Sequence, residues 1–341
     1  LGGSVTGQSN VGGLVGLNNN SSISNSYTTG LVTGNNYVGG LVGENDNSSI
    51  SHASAAGDVA GQNYVGGLVG ENDNSSINHA SAAGEVTGQN YVGGLTGYND
   101  NNSTVSNVYA TGAVIGSNYV GGLVGQNNNS ISNAYWNMQT TGQLNGVGGG
   151  PNAGIGLTSA QMLFANSFAG FDIDDQGGTG KVWRIYEGQT APLLRSFLTQ
   201  ATLNAQNQSL TYNGQTQGLN TSIFTGLDYN KLFSSQSSSK NVGTYNLSYY
   251  SNQQGYDLIN NIASLTINKA AATVTANSLN TTYNGLNQTV SGFSASGLVN
   301  GETAAVLSNV SASVTEKNAG SYVNQASGTD SNYELTFIDG S

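Results

Sequence analysis

The sequence predicts an all-β fold: a β-solenoid followed by two small β-rich domains. Three observations predict it. The hexapeptide Val-Gly-Gly-Leu-Val-Gly stands at residues 11–16, 38–43, 65–70 and 120–125, with Val-Gly-Gly-Leu-Thr-Gly at 92–97, so the starts lie 27, 27, 27 and 28 residues apart. Self-similarity at such a period marks stacked units, none of which can bury a core alone. Short β-prone runs bounded by Gly and Asn recur in every unit, and no apolar spacing of 3.6 residues appears. A longer repeat follows the array, built around Thr-Tyr-Asn-Gly at 211–214 and again at 282–285.

In the array, residues 1–147, each unit holds three such runs, as in Tyr64–Gly70, Ser76–Gly84 and Glu85–Gly88. They predict three short strands per 27-residue coil, with equivalent residues about 4.8 Å apart, the spacing of paired strands. Three interior ladders follow: Ile23, Ile50, Ile77, Val105 and Ile131; Leu14, Leu41, Leu68, Leu95 and Leu123; and Val5, Val32, Val59, Val86 and Val114. Gly13, Gly40, Gly67, Gly94 and Gly122 are expected where a turn or close coil packing leaves no room for a side chain. Length varies in one place only. From the last Gly of the hexapeptide to the Ile or Val of the next run the step is 7, 7, 7, 8 and 6 residues. That loop holds Asn45-Asp46-Asn47, Asn72-Asp73-Asn74 and Asn99-Asp100-Asn101, and variation confined to one face of a solenoid often marks its binding face.

Residues 148–198 are a transition. Gly148-Gly149-Gly150-Pro151 breaks the pattern, and Thr158 reads as the N-cap of a short helix. Phe164, Phe168, Phe171, Trp183 and Ile185 are expected to cap the open end of the solenoid rather than to form an aromatic platform for sugars. Two copies of a β-rich domain follow, 199–269 and 270–341. Asn241-Val242-Gly243-Thr244-Tyr245 matches Asn318-Ala319-Gly320-Ser321-Tyr322, and Tyr256-Asp257-Leu258 matches Tyr333-Glu334-Leu335. The offset grows from 71 to 77 because the second copy holds an extra segment near Gly297–Glu302. The first copy closes with Leu265-Thr266-Ile267-Asn268-Lys269. The second copy reaches Ser341, equivalent to Ser264, and is expected to lack that closing strand and leave an unpaired edge.

Composition narrows the function. The 341 residues include 50 Gly but only 2 Pro, which excludes collagen. Charged residues are 7 % of the chain, the net charge is −11, and no Lys or Arg precedes Lys181. Binding to nucleic acid needs basic patches, so it is excluded, and no apolar run long enough for membrane insertion exists. The absence of Cys excludes a disulfide scaffold and thiolate metal sites. The chain opens on Leu1 and reads as part of something longer. Low charge with abundant Asn, Ser, Thr and Gly suits an exported, extracellular protein.

Catalytic equipment is thin. Asp172, Asp174 and Asp175 cluster beside Gly177-Gly178 and read as a solvated turn, and neither a nucleophile elbow nor a phosphate loop occurs. No catalytic residue and no cofactor are expected. His52 and His79 share one repeat position with Asn25, Asn107 and Asn133, and read as a polar surface ladder. Asp46, Asp73 and Asp100 are the candidate metal ligands, for calcium, since oxygen-rich loops suit a hard cation. Asn45, Asn47, Asn72, Asn74, Asn99 and Asn101 form the candidate ligand face. Asn20, Asn47, Asn74 and Asn102 each begin an N-x-S/T sequence.

The repeated units resemble the GLUG motif of large bacterial surface proteins. The ending, Ile131-Ser132-Asn133-Ala134-Tyr135-Trp136-Asn137 with Gly156-Leu157-Thr158 and Val182-Trp183-Arg184-Ile185, is similar to segments that follow such arrays in exported adhesins resembling filamentous haemagglutinin. The C-terminal copies resemble the MBG-type stalk domains of the same proteins. The resemblance implies a structural or adhesive segment at the bacterial cell surface, monomeric as a fragment, with a glycan, a matrix polysaccharide or a host surface protein as partner. The alternative is a non-catalytic accessory module of a secreted carbohydrate-active enzyme or protease.

Overall fold

The structure, a computed structural model, describes residues 3–204, 206–218, 226–235 and 238–341. The chain divides into two compact units, Leu1–Ala201 with Tyr250–Ile259, and Thr202–Tyr249 with Asn260–Ser341.

The first unit is the solenoid with its cap. Each full coil has four strands, not the expected three; in the third coil they are Val59–Ala60, Asn63–Gly66, Val69–Asp73 and Ser76–Ala82. The extra break falls inside the hexapeptide, at Gly67-Leu68, where the chain turns a corner and drives Leu68 fully inward. Strands of successive coils pair in parallel with every equivalent residue in register, for example Val42↔Val69↔Thr96 and Ile50↔Ile77↔Val105.

The three glycines of the hexapeptide make this corner compact. A Cβ on Gly66 would stand 2.7 Å from the amide nitrogen of Gly97, one on Gly67 would overlap the carbonyl oxygen of Gly94, and one on Gly70 would stand 2.6 Å from the nitrogen of Val38. None of these glycines has a left-handed backbone. They are needed for close approach of backbone to backbone, not for conformational freedom.

The interior has two apolar clusters. Leu41, Leu68, Leu95 and Leu123 pack with Ile50, Ile77, Val105 and a row of alanines; Val32, Val59, Val86 and Val114 pack with Val38, Val65 and Val92. The three expected ladders are therefore interior. Leu14, in the first coil, is 44 % exposed because a coil covers it on one side only. At about 25 cal/mol per Å² of apolar surface, burying each such side chain contributes roughly 1.5–3 kcal/mol, and the gain recurs with every coil.

The stack continues past residue 147. Val147–Gly149 pairs with Val124–Asn127, and Ile155–Leu157 pairs with Ser130–Asn137, so a partial sixth coil occupies the stretch expected to break the pattern. Thr158 then opens a single 3-10 turn, Gln161–Leu163, instead of a longer helix. Its hydroxyl accepts from the Gln161 amide at 3.2 Å, while the Gln161 side chain accepts from the Thr158 amide at 2.9 Å, a reciprocal capping pair.

The aromatic set closes over the flank of the coils rather than their end alone. Phe168, Phe171, Trp183 and Ile185 are buried against Tyr109 and Tyr135, which project from the strands Thr104–Ala110 and Ser130–Asn137. The Tyr109 hydroxyl donates to the Pro192 carbonyl oxygen at 2.5 Å, and Phe197 lies 5.7 Å from the Tyr27 ring. Four charged residues tie the segment Tyr250–Ile259 to this cap. Arg184, fully buried, meets Asp257 at 3.2 Å and stacks its guanidinium 3.9 Å above the Tyr186 ring, while Arg195 bridges Asp257 and Asp174. Asp174, expected in a solvated turn, is 6 % exposed. Burial alone would raise its pKa, but hydrogen bonds from the Gln176 amide, Thr179 and Arg195 hold it below the usual carboxylate value.

The second unit holds both C-terminal copies around one core, which includes Tyr212, Leu247, Leu265, Ile267, Val274, Leu307 and Tyr333. In the first copy the strand Ile262–Asn268 lies between Gln208–Thr211, parallel to it, and Gly243–Tyr250, antiparallel to it. The second copy has two three-stranded sheets, one of Ala270–Ala276, Phe293–Ser296 and Tyr333–Ile338, the other of Gln288–Ser291, Val310–Glu316 and Ala326–Gly328. It has no strand equivalent to Ile262–Asn268, as expected. Its helical content is a single 3-10 turn, Ala304–Val306.

Candidate functional site

The polar columns of the solenoid are its candidate site. Each coil places the same residue types at the same positions, so each column is a row of like groups about 4.8 Å apart.

The arc between the strands Val69–Asp73 and Ser76–Ala82 carries the candidate ligand face, and the structure splits it. Asn45, Asn72 and Asn99 are fully buried, which removes them from that face. With Asn18 and Asn127 they form an internal amide ladder, each Nδ2 donating to the next Oδ1 at 2.8, 2.9, 2.9 and 2.8 Å. The alternation of a strand sends these residues inward, and the amides can enter the core because each finds a partner on both sides. Asn47, Asn74 and Asn101 do face outward, with Asn20 and Asn102. Their backbones are left-handed, with φ between 46° and 60°, a conformation that asparagine tolerates better than most residues. Together with Ser48 and Ser76 they line a polar groove of about 450 Å³ along the coils.

Asp46, Asp73 and Asp100 stack in register at the end of their strand. Their oxygens already serve neighbours: Asp46 accepts from Asn19 at 3.1 Å and from Asn47 at 2.6 Å, and Asp100 accepts from Tyr98 at 3.0 Å and Asn128 at 3.1 Å. Among the described residues no group of three or more His, Cys, Asp or Glu side chains is placed to hold a metal ion.

A second row escaped the sequence reading. Tyr37, Tyr64, Tyr91 and Tyr119 stack face to face, with ring centroids 4.8, 4.8 and 5.0 Å apart and planes within 9° of parallel. The signal was present, since each precedes Val-Gly-Gly, but a tyrosine beside an apolar run reads as core. Glu44 and Glu71 stand in register beside this row, with Tyr98 next in their column. Burial, together with the charges of Glu44, Asp73, Asp100 and Asp46, pushes the Glu71 carboxyl up to about 7. The stacked rings turn their edges outward and cover one another's faces, so the row is a poor platform for a sugar, which needs an open ring face.

His52 and His79 stack at 5.1 Å in the column expected for them. The position is left-handed in every coil, φ 44–53° from Asn25 to Asn133, which explains why it alternates between Asn and His. Burial and the neighbouring His52 lower the His79 pKa.

Fold and columns together define a parallel β-solenoid repeat protein with β-rich C-terminal domains. The family model of the GLUG motif matches residues 7–33, 34–60, 61–87 and 88–115, and that of the MBG domain (YGX type) matches residues 272–341. The chain thus carries GLUG motif repeats and an MBG domain, modules typical of extracellular repeat regions of large surface proteins, which fits an extracellular location. No curated protein and no solved structure matches the chain.

Proposed function

We propose that this chain is a structural and adhesive segment of an exported bacterial surface protein, in which the solenoid provides a stiff arm and the exposed asparagine row a repeated binding surface. The observation that carries this reading is the groove lined by Asn20, Asn47, Asn74 and Asn102. It presents amide and hydroxyl groups at a fixed repeat, and a linear glycan or matrix polysaccharide offers hydroxyls that could pair with successive coils. The segment works without catalysis and without a resident cofactor. The deciding experiment is a glycan array probed with the whole chain, repeated with the double variant Asn47→Ala and Asn74→Ala. Binding that the double variant loses, at unchanged melting temperature, is the expected result. Uniform absence of binding on glycans and matrix polysaccharides would reduce the segment to a spacer.

A further inference from the structure

The two copies of the C-terminal unit differ at one face. In the first copy that face is covered twice. The strand Ile262–Asn268 fills the space between Gln208–Thr211 and Gly243–Tyr250, and its inward residues Ala263, Leu265 and Ile267 are 2, 0 and 1 % exposed. Beside it, the extra segment of the second copy, Gly297–Glu302, folds over the Thr-Tyr-Asn-Gly turn. The Tyr212 hydroxyl donates to Glu302 Oε1 at 2.7 Å, Asn300 Nδ2 donates to the Gly214 carbonyl oxygen at 3.2 Å, and Gln215 Nε2 donates to Asn300 Oδ1 at 2.5 Å. Tyr212 is left 3 % exposed.

In the second copy the same face is open. Tyr283, the counterpart of Tyr212, is 60 % exposed, and Leu286, the counterpart of Gln215, is 67 % exposed. A groove of about 670 Å³ runs beside them, lined by Leu279, Thr281, Val314, Gly320 and Tyr322. These residues flank the position that Ile262–Asn268 holds in the first copy. The register of a strand in this groove is already set. Asn324 and Gly340 exchange two hydrogen bonds of 2.9 Å, matching the pair Leu247↔Ala263, and the Leu279 amide donates to the Ser341 carbonyl oxygen at 2.8 Å.

We propose that this open face is a docking site for a further module of the same kind as the second copy. The module enters as an extended strand that runs on in the register of Gly340 and Ser341. Like Leu265-Thr266-Ile267-Asn268, that strand turns aliphatic side chains inward and polar ones outward. It pairs in parallel with residues 279–282 and antiparallel with residues 320–322, the strand-addition mode in which backbone groups supply affinity and alternate pockets supply selectivity. The module then lays its own counterpart of Gly297–Glu302 over Tyr283 and offers the tyrosine hydroxyl a carboxylate. Continuity with the existing contact between the copies argues for this occupant: the partner residues Tyr283, Asn284 and Gly285 repeat Tyr212, Asn213 and Gly214. The geometry makes a row of such modules self-propagating, each copy closing the one before it.

The test repeats residues 265–341 after Ser341 of the full chain and compares the product with the unextended chain. Amide hydrogen exchange at residues 279–282 and 320–322 should slow by about 100-fold or more, since strand pairing protects these groups. Tyr283 should lose its reactivity toward nitration. A shorter extension that adds residues 265–268 alone should slow the same amides yet leave Tyr283 reactive. Exchange and Tyr283 reactivity unchanged in the long extension, with its added residues themselves protected as a folded module, would overturn the proposal. Protection of Tyr283 by the short extension would overturn the role given to the strap.

Discussion

The solenoid and the C-terminal pair are both built by repetition, yet they repeat different things. In the solenoid the environment repeats with the sequence: Leu41, Leu68, Leu95 and Leu123 are all fully buried, and Asn45, Asn72 and Asn99 all sit in one amide ladder. In the pair the sequence repeats but the environment does not, since Tyr212 is 3 % and Tyr283 60 % exposed. A coil of about 27 residues meets an identical coil on each side, so each column solves one packing problem many times. A domain with its own core meets its neighbour at one face only, and the two copies lie on opposite sides of that contact.

Glycine substitution breaks this contrast most sharply. Gly67→Val sets a branched side chain against the Gly94 carbonyl oxygen and the Ala82 methyl group, with backbone on both sides and no room to shift. The solenoid is expected to lose more than about 4 kcal/mol, beyond the ordinary range for point changes, and the variant should be recovered unfolded or in aggregates. Gly285 differs: φ is 77°, and a Cβ added there would meet nothing within 4 Å. Gly285→Ala is expected to cost about 1 kcal/mol, the strain of a left-handed alanine. Urea unfolding followed by circular dichroism measures both, and equal losses would erase the distinction between glycine for space and glycine for conformation.

The same contrast explains how much could be read from the sequence. The interior ladders and the register were legible because a strict period aligns equivalent residues without any knowledge of the fold. The fourth strand was not, because the corner at Gly67-Leu68 follows from backbone packing against the neighbouring coil, and glycine carries no pattern of its own. The candidate face was half legible. Asn-Asp-Asn announces a turn, but which asparagine points inward depends on where the strand ends, a shift of one residue. The ion cluster of Asp174, Arg184, Arg195 and Asp257 was illegible, since its members are up to 83 residues apart and no local pattern joins them.

The buried amide ladder is the next largest test. Asn72→Leu fits the volume but removes both of its bonds, leaving Asn45 Nδ2 and Asn99 Oδ1 buried without that partner. Each abandoned polar group costs about 1–3 kcal/mol, so a loss of roughly 2–4 kcal/mol is expected. In the pair, Asn300→Ala removes bonds to Gln215 and Gly214 that water can replace, and should cost under about 1 kcal/mol. A thermal or urea midpoint for Asn72→Leu equal to that of the parent would show that the ladder only fills space.

The smallest effect is a pH dependence peculiar to the repeated environment. Stacking sets Glu44, Asp46, Asp73 and Asp100 around Glu71 and raises its pKa from 4.5 to about 7 in the folded chain. A carboxyl whose folded pKa lies above its unfolded value binds more protons when folded. Its contribution to stability is therefore fully present below about pH 4.5 and is lost as pH rises through 7. Glu71→Gln removes that dependence. The variant should match the parent near pH 4.5 and be more stable near pH 8, by about 1 kcal/mol once solvent screening of this partly exposed group is allowed for. The difference in urea midpoint between the two proteins, measured from pH 4.5 to 8, reads it directly. The His79 pKa is lowered by burial and by His52, so its own contribution runs the opposite way and weakens the fold as pH falls through the range just below 6.5. Introducing His79→Asn in both proteins keeps the left-handed backbone and removes that opposing trend. A Glu71→Gln difference that does not grow with pH in this background would show that the stacked carboxylates do not sense one another.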